Sequence, residues 1–125
     1  MGAPPEEKRA TILVVDDEVV ARNIVANLLH RAGYVVLAAA NGKEALELSR
    51  NYPSRIDLLI ADTAMPRMGG VELCEHVARE RPEVKMLLLC ASQADEAVAA
   101  GRWECLQKPV DNAVLRRTVN HLLEG

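Results

Sequence analysis

Two kinds of apolar spacing alternate along the chain. Short unbroken runs rich in Val, Ile and Leu occupy 11–15 (Thr-Ile-Leu-Val-Val), 34–40, the stretch from Ile56 up to Asp62, 85–91 and 105–107. Apolar runs of this length, bounded by polar, Gly or Pro residues, read as strands buried on both faces. Between them the apolar residues recur at helical spacing. From Val19, the residues Val20, Ile24, Leu28 and Ala32 fall on one face with Val25 and Leu29 beside it, and Gly33 stops the helix as a left-handed cap would. Asn41 is placed to cap a helix from Gly42 that buries Ala45, Leu46 and Leu48 and ends around Asn51-Tyr52-Pro53. A third helix, 71–81, turns Leu73, Cys74 and Val77 inward and is closed by Pro82. A fourth, 93–100, has only Ala94, Ala97 and Val98 as its apolar face and is expected to pack weakly. Asp111 caps the last, in which Val114, Leu115, Thr118, Val119 and Leu122 recur.

Strict strand and helix alternation implies a parallel sheet with helices on both faces and right-handed crossovers, an α/β doubly wound fold. Residues 1–10 are Pro- and charge-rich without periodicity and read as a flexible tail, leaving 11–125 as one domain. With Tyr34, Tyr52 and Trp103 as the only aromatic residues, the core must be built from Leu, Val, Ile and Ala. The net charge of −3, without a basic run, argues against direct contact with nucleic acid. No signal peptide or membrane-length apolar stretch is visible, so a cytoplasmic location without membrane contact is expected. Cys74, Cys90 and Cys105 lack paired spacing and read as buried thiols rather than a disulfide framework or zinc site.

Candidate chemistry lies where the strands end. The first run stops at Asp16-Asp17-Glu18, the third at Asp62, and the fifth at Lys108-Pro109. An Asp after a buried strand can merely cap the next helix. In a parallel sheet, however, all three clusters reach the same carboxyl edge, where open α/β sheets bind their ligands. Two like charges ~4 Å apart repel by about 4 kcal/mol at an effective dielectric near 20, so such a cluster wants a counter-charge. Hard oxygen ligands with room left for water and phosphate oxygens suit Mg2+, with an anionic, phosphate-like group held by the lysine.

Together, the acid pair after the first strand, Asp62 followed by Met65-Pro66 and Gly69-Gly70, and Lys108-Pro109 after the fifth strand resemble the receiver domain of two-component response regulators over residues 11–123. The resemblance implies a flavodoxin-like (βα)5 three-layer sandwich, its five-stranded parallel sheet in the order 2-1-3-4-5. It also implies that Asp62 accepts a phosphoryl group from a sensor histidine kinase or phosphotransfer protein. Asp17, Asp16, Asp62 and the backbone carbonyl of Ala64 would hold Mg2+, and Lys108 would hold a phosphoryl oxygen. Pro109 would follow a cis peptide bond. Such a module signals by protein contact, turns over no small substrate, and leaves its downstream partner unnamed.

Two positions depart from the family pattern. Cys90 stands where the family carries Ser or Thr, and Cys105 where it carries Tyr or Phe, so both halves of the usual switch are replaced. A thiol is a far weaker donor than a hydroxyl. The chemistry is expected to survive and the conformational readout to change. A receiver-like module binding partners constitutively is the alternative. A haloacid dehalogenase type phosphatase would want an acid where Ala64 stands, and a flavin or nucleotide carrier a Gly-rich loop where the acid pair stands. Glu18, Asp57 and Asp111 read as surface, capping or turn acids, and Arg67 as exposed.

Overall fold

The computed structural model describes residues 9–91 and 101–124. Among them run β1 (Thr11–Val15), α1 (Val19–Arg31), β2 (Val35–Ala39), α2 (Gly42–Asn51), β3 (Leu58–Asp62), α3 (Gly70–Glu80), β4 (Lys85–Cys90), β5 (Glu104–Gln107) and α4 (Asn112–Glu124). The strands form one parallel sheet in the order β2-β1-β3-β4-β5, as expected. The expected short helix at 93–100 and most of the expected N-terminal tail lie outside the described residues.

Period-two alternation divides the sheet residues between two cores. Leu13, Val15, Leu59, Ala61, Leu88 and Cys90 pack with Ala45, Leu46, Leu73, Cys74 and Val77 of α2 and α3. Ile12, Val14, Leu58, Ile60, Leu87 and Leu89 pack with Leu29 of α1 and with Leu115 and Val119 of α4. The result is a three-layer sandwich whose central strands are apolar between their end residues because both faces are covered. The edge strands are less enclosed: Ala38 of β2 and both ends of β5, Glu104 and Gln107, are exposed.

The expected face of α1 is corrected. Val20 is 68% and Ile24 54% exposed, Ala32 is exposed too, and the residues packed on the sheet are Val25, Leu28 and Leu29. The helix carries more apolar positions than one buried stripe needs, so spacing alone left two neighbouring stripes equivalent. Val114 of α4, expected inward, is likewise exposed. The caps hold: Asn41 Oδ1 accepts from the Glu44 amide at 2.8 Å, and Asp111 Oδ1 from the Ala113 amide at 2.8 Å. Gly33 takes φ 101°, as a left-handed stop requires. Arg81 ties the end of α3 to the α2–β3 connection, donating to the carbonyls of Ser49, Tyr52 and Ser54 at 2.7, 2.8 and 3.0 Å.

Candidate functional site

The register decides which side chains meet. Val15 lies beside Ala61 and Asp62 beside Leu89, so the residue following β1, Asp16, emerges level with the last residue of β3. Cys90 lies beside Gln107, and the Lys108 amide donates to the Cys90 carbonyl at 2.8 Å, which brings the lysine to the same edge. Carboxylate oxygens of Asp16, Asp17 and Asp62 all lie within 4.8 Å of one another. Asp16 and Asp62 are 3% and 4% exposed, whereas Asp17 faces solvent.

Each buried carboxylate divides its two oxygens in the same way. Asp16 Oδ1 accepts from the Glu18 amide and Asp62 Oδ1 from the Ala64 amide, both at 3.0 Å and both two residues along the chain. These Asx turns lock the side chains to the loops that begin α1 and lead to α3. The remaining oxygens meet Lys108, whose Nζ donates to Asp62 Oδ2 at 2.8 Å and to Asp16 Oδ2 at 3.4 Å. Desolvation pulls the ammonium pKa down, but the hydrogen bond and charge of Asp62, with the charge of Asp16, outweigh it and hold Lys108 above its ordinary 10.5.

Because the folded value is raised, the stabilisation is complete below the unfolded value of 10.5 and is lost as pH rises through the folded one. In metal-free protein, Lys108→Met should therefore remove part of the loss of stability that urea titrations detect above that pH. An unchanged alkaline limb would contradict this assignment.

Two close approaches pack the start of α3 against the end of β3. A Cβ on Gly69 would sit 2.7 Å from the Thr63 carbonyl oxygen, and one on Gly70 would sit 2.6 Å from that of Asp62. Arg67, in the turn before them, is exposed with φ 68°.

Asp16, Asp17, Asp62 and Lys108 are thus brought together, and the Lys108–Pro109 bond is cis. Cys90 is fully buried at the end of β4. Cys105 is only half-buried, a correction to the expectation of a buried thiol, because β5 is the sheet edge. Its Sγ donates to the Trp103 carbonyl at 3.6 Å, and it pairs with Leu88, two residues before Cys90, so the thiols are not opposite one another. Burial, with a smaller contribution from Cys105, pushes the Cys74 thiol up to about 12. Glu18 stays outside the carboxylate cluster and supplies only its amide. Sequence reasoning missed Arg22, whose Nη1 donates to the Asp16 carbonyl at 2.8 Å from within α1. No periodicity marks such a long reach.

The arrangement is a hard-oxygen trio with one lysine across it, a donor set that fits a small divalent cation and an anion held at the amine. No helix among the described residues is long and apolar enough to cross a membrane. The family model described as "Response regulator receiver domain" matches residues 12–120. A cyclic di-GMP phosphodiesterase of Thermotoga maritima is 30% identical over 119 residues, 92% of this chain but 31% of that protein, so the chain spans about a third of its length. The Vibrio cholerae chemotaxis protein CheY4 superposes with a TM-score of 0.82 at 32% identity, covering 92% of this chain and 99% of that one. The response regulator TrrA of Thermotoga maritima, solved in complex with Mg2+ and BeF, gives a TM-score of 0.80 at 30% identity over 91% of this chain and 99% of that one. With its strand order, its edge of acids facing a lysine, and a family match spanning nearly the whole chain, the protein belongs to the response regulator receiver domain family.

Proposed function

We propose that Asp62 is the phosphoacceptor of this receiver domain, taking a phosphoryl group from the phosphohistidine of a sensor histidine kinase or phosphotransfer protein. The observation that carries this reading is the convergence of three carboxylates within 4.8 Å on an ammonium 2.8 Å from Asp62 Oδ2. An oxygen of Asp62 attacks phosphorus as the P–N bond breaks; with the far ring nitrogen of the phosphohistidine protonated, the imidazole takes the electron pair of that bond and departs neutral. Lys108 holds an equatorial phosphoryl oxygen as a point charge, and the Ala64 amide steadies the carboxylate during attack. Asp16, Asp17, Asp62 and the Ala64 carbonyl would hold Mg2+, which supplies charge neutralisation across the transferring group when bound.

The partner surface follows from the corrected face of α1. Val19, Val20 and Ile24 are 56%, 68% and 54% exposed directly after the acid pair, an apolar collar suited to a helix that presents its histidine to Asp62. A hollow of about 470 Å³ lies beside it, lined by Ile24, Val25, Pro109 and Val110 and reaching Asp16 and Lys108.

Acetyl phosphate, or beryllofluoride as a non-covalent mimic, tests the reading. With acetyl phosphate the chain should gain the mass of one phosphoryl group, and with either reagent its amide spectrum should shift around Asp62, only when Mg2+ is present. No response under those conditions would favour a module that binds its partners constitutively.

Cys90 gives the reading a graded test. A hydroxyl hydrogen bond contributes about 0.5–1.5 kcal/mol, or roughly a two- to tenfold change in affinity. Cys90→Ser should tighten Mg2+-dependent beryllofluoride binding by about that factor. Weaker binding in a folded Ser variant would show that this position does not face the phosphoryl group.

A further inference from the structure

We propose that Arg22 is a positioning residue for the acidic cluster, holding the main-chain carbonyl of Asp16 so that both carboxylates of the acid pair are set for a divalent cation. The inference rests on the reading of that cluster given above.

The β1–α1 turn is closed from inside by Asp16. Its Oδ1 accepts from the Glu18 amide at 3.0 Å and its carbonyl oxygen from Arg22 Nη1 at 2.8 Å. The N-cap of α1, Glu18, makes no side-chain cap, and the first turn of the helix carries no acid. The usual local means of fixing a helix start are therefore missing, and Arg22 reaches back across the turn instead. The carbonyl it holds belongs to the rigid peptide unit joining Asp16 to Asp17. A bond to that oxygen fixes the plane from which the Asp17 side chain departs. Asp17 needs such help, because it is exposed and its carboxylate has no hydrogen-bond partner among the described residues. Asp16 and Asp62 need it less, each being held by a following amide and by Lys108.

Charge and position make opposite predictions. A guanidinium close to a dication repels it, so if charge alone mattered, removing Arg22 would tighten metal binding. If position matters, removing it loosens the acid pair and weakens binding. Arg22→Met removes the donor and the charge while keeping the half-buried stem; Arg22→Lys keeps a donor and the charge.

The experiment uses the full chain and Mg2+ alone, titrated calorimetrically well below the thermal midpoint of every variant, together with hydrogen exchange of the Glu18 amide without metal. Arg22→Met should weaken Mg2+ binding by about three- to tenfold and speed Glu18 exchange, and Arg22→Lys should stay within about twofold of the parent chain, below the range seen when direct supports of metal ligands are lost. A purely structural residue would lower the thermal midpoint without moving the affinity. Unchanged or tighter Mg2+ binding in Arg22→Met, with the parent chain binding normally, overturns the role of Arg22 alone. Failure of the parent chain to bind Mg2+ overturns the reading of the cluster and this inference with it.

Discussion

Asp62→Asn should abolish phosphoryl incorporation from acetyl phosphate while leaving the chain folded. The amide nitrogen is no nucleophile toward phosphorus, and the variant keeps one oxygen to share between two donors, the Ala64 amide and Lys108 Nζ. The electrostatics explain why the fold survives. At an effective dielectric near 20, Asp62 is repelled by Asp16 and Asp17 by roughly 3.5 kcal/mol each at the 4.8 Å limit of their separation, and attracted to Lys108 by roughly 6 kcal/mol at 2.8 Å. The opposing contributions nearly cancel, so neutralising Asp62 changes stability far less than either contribution alone. Mg2+ binding, which gains from every carboxylate and meets no such cancellation, should weaken by at least about tenfold, 1.4 kcal/mol. Intact-mass spectrometry with urea denaturation separates the two effects. A variant that still gains a phosphoryl group would move the acceptor to Asp16 or Asp17.

Much of this site is legible in the sequence, because it depends on topology more than on side-chain detail. Parallel alternation forces the ends of β1, β3 and β5 onto one edge, and what stands there is visible as Asp16-Asp17, Asp62 and Lys108. The caps at Asn41 and Asp111 were legible for a different reason, since their chemistry is local. What escaped depends on rotation and reach. The face of α1 could not be chosen between adjacent apolar stripes, and the choice turned Val20 and Ile24 from core residues into an exposed collar beside the acids. Arg22 escaped because its bond depends on a turn shape that composition does not specify. The register of β5 escaped too: the apolar run at 105–107 is visible, but only its pairing shows that Cys105 lies beside Leu88, two residues short of Cys90.

Gly69-Gly70 belongs to the sequence motif that follows Asp62, and the close approach at Gly70 carries the second large expectation. Gly70 is buried at the first position of α3, where a helix ordinarily gains from alanine, by up to about 1 kcal/mol. Against that gain, a Cβ would stand 2.6 Å from the Asp62 carbonyl oxygen, 3.0 Å from its carbon and 3.1 Å from Leu88 Cδ2. Leu88 could rotate, but the backbone of β3 cannot yield cheaply: Asp62 lies beside Leu89 in the ladder, and the Thr63 amide donates to the Leu89 carbonyl at 3.1 Å. The start of α3 must therefore move away, at a cost typical of overpacking, about 1–3 kcal/mol or more, and the clash wins over the propensity gain. Gly70→Ala should lose about 2 kcal/mol of stability, and because the strained atoms are the backbone of Asp62 itself, Mg2+ binding should weaken as well. Gly33→Ala provides the control. Its φ of 101° makes alanine costly there too, but no heavy atom lies within 4 Å of the added carbon and it is remote from the acids in the chain, so it should lower stability and leave Mg2+ affinity unchanged. A Gly70→Ala protein with lowered stability and parental Mg2+ affinity would show that α3 gives way without moving Asp62, so that the close approach serves the fold and not the site.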